Sequence, residues 1–396
     1  MDPLSDHTPD RPRVCFVVAS ETTAKAFLLG HLRALSERYD LTLVANTDDT
    51  ALLAKAGIRG TVVPVRIERP IDLRSDLAAL LRLRALFRHE AFDAVHSVTP
   101  KAGLLAMTAA ALAGVPVRTH TFTGQVWATR AGPMRTLLKA IDRLTARSAT
   151  HVLADSRSQL DFLVAEGVVA RDNGDVLANG SIAGVDTARF APDPETRARI
   201  RAEHGIGPDD VAFLFLGRLS RDKGVADLAR AFVGAAASRP NIQVLVVGPD
   251  EDGLRAEIED VTGPVRERVR FVGFTPAPET FMAAVDVFCL PSYREGFGSV
   301  VIEAAAVGIP AIASRIYGVV DAVEEGVSGL LHEPRDIAGL RAHIEALADD
   351  PDERRRLGRQ ARERALDLFG SERVVAALVG YYGERLPTAE PPTRDA

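Results

Sequence analysis

Glu295 and Glu303 stand eight residues apart in the run Leu290-Pro291-Ser292-Tyr293-Arg294-Glu295-Gly296-Phe297-Gly298-Ser299-Val300-Val301-Ile302-Glu303-Ala304. An apolar stretch ends at Pro291, a glycine-bearing turn follows, and a helical pattern begins near Ser299. A helix start of this kind offers backbone N–H groups and the positive end of a dipole, a setting for a diphosphate. Gly296 and Gly298 let the backbone come close to a ligand. Placed on one helix, eight residues amount to ~12 Å of rise and ~80° beyond two full turns. The two carboxylates could then grip opposite ends of an extended ligand, accepting paired hydrogen bonds from vicinal hydroxyls. The plainer alternative is a glycine-containing helix cap with two solvated glutamates.

A second run, Phe213-Leu214-Phe215-Leu216-Gly217-Arg218-Leu219-Ser220-Arg221-Asp222-Lys223-Gly224, again carries a buried strand into a loop before a helix. Arg218 and Lys223 would sit at the strand's carboxyl end, where two fixed cations can neutralise a leaving diphosphate without a metal. A solvated basic turn is the alternative. Asp250-Glu251-Asp252 has the Asp-x-Asp spacing of a metal-dependent site, but it reads better as an acidic helix N-terminus favoured by the dipole. Asp350-Pro351-Asp352 reads as a surface turn. We expect no metal and no cofactor.

Strand and helix signals alternate along the whole chain. In the first half, apolar or β-branched runs fall at Val14–Ala19, Leu41–Ala45, Thr61–Val65, Ala94–Val98, Val117–Phe122, His151–Ala154 and Val176–Ala178. In the second they fall at Val211–Leu216, Gln243–Val247, Val269–Val272, Val285–Leu290, Ala311–Ser314 and Gly329–Leu331. Amphipathic stretches lie between them. Several runs are apolar on both faces, the mark of parallel strands covered by helices. The pattern predicts an α/β chain of two Rossmann-like, doubly wound domains facing across a cleft. We expect a disordered N-terminus at 1–12, a first domain at 13–185, a linker at 186–194, a second domain at 195–370, a closing helix at 371–385 and a disordered tail at 386–396.

The net charge of −6 hides an asymmetry. Residues 1–185 carry 22 Lys and Arg against 19 Asp and Glu, and the remainder carries 26 against 35. A positive half and a negative half suggest surfaces with different partners. Cys15 and Cys289 each sit inside an apolar run and read as buried free thiols, which fits a reducing cytosol. No stretch is apolar enough for a signal peptide or a spanning helix. Around Arg130–Arg147, Arg130, Arg135, Lys139, Arg143 and Arg147 interleave with Met134, Leu137, Leu138, Ile141 and Leu144, against the single acid Asp142. This is either a core-facing helix with a charged outer face or a basic amphipathic helix resting on an anionic membrane. The acidic total and the lack of a reader motif speak against nucleic acid.

Taken together, Gly217-Arg218…Lys223-Gly224, Val247-Gly248-Pro249, Phe271-Val272-Gly273-Phe274, Asp286-Val287-Phe288-Cys289-Leu290-Pro291-Ser292 and Glu295-x7-Glu303 resemble the retaining glycosyltransferases of the GT-B fold, family 4 type, which include enzymes of bacterial surface polysaccharide. The likeness is concentrated over about residues 210–335. It extends more loosely into the first half through His96-Ser97-Val98-Thr99-Pro100-Lys101-Ala102-Gly103 and Asn179-Gly180…Gly184-Val185-Asp186-Thr187-Ala188-Arg189-Phe190.

The resemblance implies roles. Arg218 and Lys223 would hold the diphosphate, and Glu303 the ribose hydroxyls. Glu295 would contact the donor sugar and steady positive charge at its anomeric carbon. Phe297, Gly298, Ser299 and Val300 would offer backbone contacts, and Val272, Gly273 and Phe274 would meet the base. The implied donor is a nucleotide-diphospho-sugar, a UDP-sugar in the first instance, with UDP-N-acetylhexosamine a candidate. The implied acceptor is a glycan or lipid-linked glycan, and the implied location is the cytoplasm, at the inner face of the cell membrane.

The sequence departs from the pattern where relatives carry a Gly-Gly loop after the first strand: here Thr22, Thr23 or Lys25 must serve. His120 stands in place of a catalytic histidine on the acceptor side, with His96 and Lys101 as further candidates; a hydrogen-bonded core histidine is the alternative. Two other readings keep the fold: a nucleotide-sugar epimerase, and a non-catalytic sugar-nucleotide-binding subunit.

Overall fold

The computed structural model describes residues 11–68 and 72–386. The chain divides into two compact units. One runs to Ala183 and is completed by the segment from Glu372; the other is Gly184–Ser371.

The first unit is built on seven parallel strands: β1 (Arg13–Val17), β2 (Asp40–Ala45), β3 (Thr61–Pro64), β4 (Ala94–Val98), β5 (Val117–Phe122), β6 (His151–Ala154) and β7 (Gly174–Val176). Their order across the sheet is β3-β2-β1-β4-β5-β6-β7. Strand β1 explains why the sheet is covered on both sides. Val14, Phe16 and Val18 enter one core, Cys15 and Val17 the other, and all are inaccessible to solvent. Five successive side chains, four of β1 and Val18 after it, shed water together, which no single-faced sheet could offer.

The second unit repeats the plan with six parallel strands: β8 (Val211–Leu216), β9 (Ile242–Val247), β10 (Val269–Gly273), β11 (Val287–Leu290), β12 (Ala311–Ser314) and β13 (Gly329–His332). Their order is β10-β9-β8-β11-β12-β13. Val211, Phe213 and Phe215 of β8 face one core, and Ala212 and Leu214 the other. In each sheet the strand order reverses once, between β1 and β4 and between β8 and β11. Doubly wound sheets bind ligands at the carboxyl ends of the strands flanking such a reversal.

Two sequence expectations need correction, and a third, the closing helix, gains its place in the fold. Residues 186–194 are no free linker. Val185 bridges to Gly370, Phe190 is buried in a core of the second unit, and the Arg189 guanidinium bonds Glu279. The acidic, proline-bearing composition has a local cause. Asp193 caps the helix Pro194–Glu203, accepting from Thr196 N–H at 2.9 Å, with Pro194 at the first helical position, where its missing N–H costs nothing. The helix Ser371–Arg385 belongs to the first unit, with Val374, Leu378, Tyr381 and Tyr382 buried. The ordered chain also reaches further than expected. Pro12 accepts from Asp40 N–H, and buried Leu386 accepts from the Tyr39 hydroxyl at 3.3 Å. The rest of the two expected disordered ends lies outside the described residues.

Candidate functional site

The loops that leave β8 and β11 are those that carry the charged residues of the two sequence runs. They are held against each other. Gly224 has φ +68°, and a Cβ there would fall 2.0 Å from the Pro291 carbonyl oxygen, so only glycine allows this approach. Tyr293 N–H donates to the Asp222 carbonyl at 2.8 Å. Asp222 is the latch: it accepts from the Ser220 hydroxyl at 2.7 Å and from Arg294 at 2.6 Å. Burial would raise the Asp222 carboxyl, but the Ser220 bond and Arg294 outweigh it and hold the group below its ordinary value.

This latch brings Lys223 to Glu295. Lys223 Nζ donates to Glu295 Oε1 at 2.6 Å, and the Ser292 hydroxyl donates to the same oxygen at 2.8 Å. Arg218 pairs with Glu251 at 2.5 Å. Both cations expected at the diphosphate are therefore paired, and an anion reaching either would compete with a carboxylate. The acidic run 250–252 is engaged throughout. Asp250 accepts from Leu254 N–H at 2.8 Å, Glu251 holds Arg218, and Asp252 accepts from Arg221 N–H at 2.8 Å. Among the described residues no group of three or more His, Cys, Asp or Glu is arranged to hold a metal ion.

The helix itself is Ser299–Val307, so Glu295 lies ahead of it in the loop and the helical spacing reasoned for Glu295 and Glu303 does not apply. The cap is Gly298 at φ +84°, which supplies no side chain to the first-turn N–H groups. Phe297 is buried edge-on against Phe369, so its contribution to a ligand is limited to backbone. Ser299, Val300 and Gly273 are half-buried, and Phe274 is 75% exposed, an aromatic face open to solvent. Glu303 is the unusual group. Among the described residues its carboxylate has no hydrogen-bond partner, and burial pushes its pKa up to about 7, with Arg189 pulling it down and Glu279 adding to the rise. Its oxygens are not among the buried unpartnered atoms, so a half-buried carboxylate of raised pKa remains open on one side to donors from a ligand.

The first unit's candidates separate. His120 and His96 are buried in the sheet. His120 Nδ1 bonds the Ser97 hydroxyl at 2.8 Å, and its ring fills the space over Gly103 and lies edge-on to Phe122. Both nitrogens of His96 are engaged, with the Tyr382 hydroxyl at 3.0 Å and the Thr121 hydroxyl at 2.8 Å. Burial depresses both imidazoles to about 3, so each is neutral at physiological pH. This corrects the acceptor-side expectation: they are hydrogen-bonded core histidines. Lys101 pairs with Asp76 at 2.6 Å.

Only Thr22 and Thr23 remain at the β1 reversal, with Thr22 exposed and the Thr23 hydroxyl against Ser20 at 3.0 Å. The helix they open contains a π turn at Ala24–Leu28, a distortion frequent at functional sites. Beside it, Thr99 was missed. It sits at φ +78°, and its buried hydroxyl has no partner among the described residues. A β-branched residue in that conformation is strained, and the only sequence signal was Pro100 behind it.

Comparison with known proteins accounts for both units. The second matches the family model "Glycosyl transferases group 1" over residues 196–364, and the first matches "Glycosyl transferase 4-like domain" over residues 24–180. The capsular polysaccharide biosynthesis glycosyltransferase CapM of Staphylococcus aureus is 29% identical over 330 residues, which is 83% of this chain and 86% of CapM. A D-inositol 3-phosphate glycosyltransferase of Pseudarthrobacter chlorophenolicus is 30% identical over 339 residues, 80% of this chain and 76% of that protein. Among solved structures, Anabaena HepE in complex with UDP superposes with a TM-score of 0.78 at 20% identity, covering 94% of this chain and 100% of HepE. Sucrose-phosphate synthase of Thermosynechococcus elongatus superposes at 0.76 and 21%, covering 94% and 99%. With a doubly wound pair of units, charged loops at the second reversal and relatives matched over most of their length, this chain belongs to the GT-B glycosyltransferases.

Proposed function

We propose that this glycosyltransferase takes its sugar from a nucleotide-diphospho-sugar, a UDP-sugar with N-acetylhexosamine as the first candidate, and that the second unit holds the donor. The observation that carries this is Glu303: a half-buried carboxylate with no donor of its own, one turn into a helix whose glycine cap leaves the anion-binding end open. A ribose diol supplies two hydroxyl donors to such a group. Donor binding would exchange partners. Lys223 and Arg218 would leave Glu295 and Glu251 for the diphosphate, and Glu295 would be freed for the sugar. Phe274 offers its exposed face to the base. Complexes of HepE with UDP and with UDP-glucose support the choice of nucleotide.

On this reading the reaction is metal-independent and retains the anomeric configuration, with Lys223 and Arg218 carrying the leaving charge. The acceptor is a glycan or lipid-linked glycan, and the enzyme works in the cytoplasm at the inner face of the membrane. CapM's role in capsular polysaccharide supports that acceptor class. The test is release of UDP from a panel of UDP-sugars. Glu303→Ala and Lys223→Ala should each abolish it. Full-rate release in both variants would remove the site assignment, and interconversion of two UDP-sugars without transfer would make the chain an epimerase.

A further inference from the structure

A cavity of about 20 Å³ lies inside the first unit, near the carboxyl ends of β4, β5 and β6. Every residue lining it belongs to that unit. Apolar groups such as Phe16, Leu28 and Leu378 make up much of the wall, but His31 and Asp155 line it too. They are 3% and 6% exposed. His31 Nδ1 and Asp155 Oδ1 have no hydrogen-bond partner among the described residues. Burying a polar atom without a partner is costly, and folded chains seldom do it twice in one place. His31 follows the π turn at Ala24–Leu28, whose extra residue sets the phase in which the ring faces inward.

Neighbouring bonds fix what each of these atoms can do. His31 Nε2 lies 2.7 Å from the Ile182 carbonyl, so Nε2 carries the proton and Nδ1 is a bare acceptor. Burial lowers the pKa of this imidazole, which keeps Nδ1 unprotonated. Asp155 Oδ1 is a second bare acceptor when the carboxyl is ionised; burial raises that carboxyl to about 7. Thr121, which also lines the cavity, supplies a donor. The fully buried Tyr382 hydroxyl has one partner among the described residues, His96 Nδ1 at 3.0 Å. The phenol therefore donates to His96 Nδ1, and His96 Nε2–H donates to Thr121 Oγ1 at 2.8 Å. The proton of Thr121 is left for the cavity.

We propose that this cavity is a binding site for one structural water. A water needs roughly 10–15 Å³ and two to four polar partners. It donates to His31 Nδ1 and Asp155 Oδ1 and accepts from the Thr121 hydroxyl. An ammonium or metal ion would satisfy the two acceptors and leave the Thr121 donor unmet. A protonated Asp155 is served equally, because water has a second lone pair to offer.

The water completes a chain of hydrogen bonds from Tyr382 through His96 and Thr121 to His31 and Asp155. Tyr382 stands on the helix Ser371–Arg385, in the segment that rejoins this unit at Glu372. His31 and Asp155 hold the segment that leaves the unit after Ala183. His31 bonds the Ile182 carbonyl, and the Asp155 carbonyl accepts from Ser181 N–H at 2.7 Å. That departing segment is strained, with Ala178 at φ +48° and Ser181 at φ +70°. Such conformations persist only where the surroundings fix them. One water therefore fastens the departing segment to the returning one. None of these groups belongs to the proposed donor site, so the water stands or falls apart from it.

A crystal structure of the full chain that resolves ordered solvent should show one water within hydrogen-bond distance of His31 Nδ1, Asp155 Oδ1 and Thr121 Oγ1. A dry cavity, or a His31 ring turned to place Nδ1 on the Ile182 carbonyl, overturns the proposal. Tyr382→Phe removes a single hydroxyl at the far end of the chain. Amide exchange read by NMR should then rise about tenfold at Ser181, the weight of one buried hydrogen bond, and stay within about twofold at Leu43 in β2. An unchanged Ser181, or both amides accelerating together, overturns the coupling. Asp155→Leu and His31→Leu should each lower the melting temperature, because each leaves the water short of a partner. The double variant should melt no lower than the less stable single one. Losses that simply add would mean that the two groups share nothing, and overturn the water between them. Neither the crystal structure nor Tyr382→Phe requires a leucine variant to fold.

Discussion

Glu303→Gln is expected to move stability and donor binding in opposite directions, and the size of the first effect follows from the structure. Burial raises the Glu303 carboxyl from its ordinary 4.5 to about 7. At about 1.4 kcal/mol for each tenfold in the proton equilibrium, the ionised form costs roughly 3 kcal/mol in the fold. The side chain is half-buried, and solvent screening lowers this to about 1–2 kcal/mol. The sign is fixed by linkage. The native state holds this proton more tightly than the unfolded chain, so the cost is absent below pH 4.5, grows between 4.5 and about 7, and is full above that. Glutamine keeps the shape without the charge. The second unit should therefore melt about 2–8 °C higher in the variant at pH 8, with no gain at pH 4.5.

UDP protection runs the other way. At a ligand concentration of about 100 Kd the parent gains roughly 2.7 kcal/mol. The variant keeps one acceptor and loses the charge-assisted bonds, so its affinity should fall tenfold or more. Thermal melts at both pH values, with and without UDP, read all four quantities. A variant no more stable than the parent at pH 8, or equally stabilised at both, would refute the picture of an uncompensated carboxylate waiting for a ligand.

Three further outcomes are expected. Lys223→Gln should lower UDP release about 100-fold by removing one fixed donor at the leaving charge, while Glu295 keeps its Ser292 bond; a rate within twofold of the parent's, read by coupled UDP detection, would exclude Lys223 from the site. Gly224→Ala should cost about 3 kcal/mol or more by urea titration, because its Cβ meets the Pro291 carbonyl at φ +68°, whereas Gly57→Ala, at φ +67° with nothing nearby, should cost only about 1 kcal/mol. His120→Gln should lower the melting temperature yet leave the pH–rate profile in shape, since the imidazole is already neutral across the neutral range; loss of a limb near pH 6–7 would restore His120 as a proton carrier.

The strands were legible because parallel strands covered on both faces leave little choice of residue. β1 and β8 read as unbroken apolar runs and lie where those runs fall. The unit boundary was not legible. Two prolines and two aspartates look alike in a linker and in a helix cap, and only the burial of Phe190 and the bond from Arg189 to Glu279 tell them apart. The helix 371–385 was found, but not its home, because Tyr381 and Tyr382 reach Thr119 and His96 across more than 260 positions of sequence. The same limit hid the Lys223–Glu295 pair, whose partners are 72 residues apart and meet only because β8 and β11 are neighbours.

The likeness of the two units sharpens the question of why only one should take the diphosphate, and the helix starts at the two reversals answer it. In the first unit, the helix after β1 is capped by the Ser20 hydroxyl, which already accepts from Thr23 N–H. The helix after β4 begins with Pro100, which has no N–H to offer. Its cations are bound to acids on their own side, Lys25 to Glu21 and Lys101 to Asp76. In the second unit the start after β11 has a glycine cap and no proline. The cation beside it is held by Glu295, a carboxylate of the same loop that would gain a partner of its own when the lysine leaves. On the proposed reading, an anion arriving there would displace a pair whose two halves could both find new contacts on one ligand. An anion that took Lys101 or Lys25 at the first reversal would leave Asp76 with the Asp72 N–H alone or Glu21 with the Thr47 hydroxyl alone. The preference therefore lies in what is left behind when the ligand binds, a quantity that depends on which residues the topology makes neighbours.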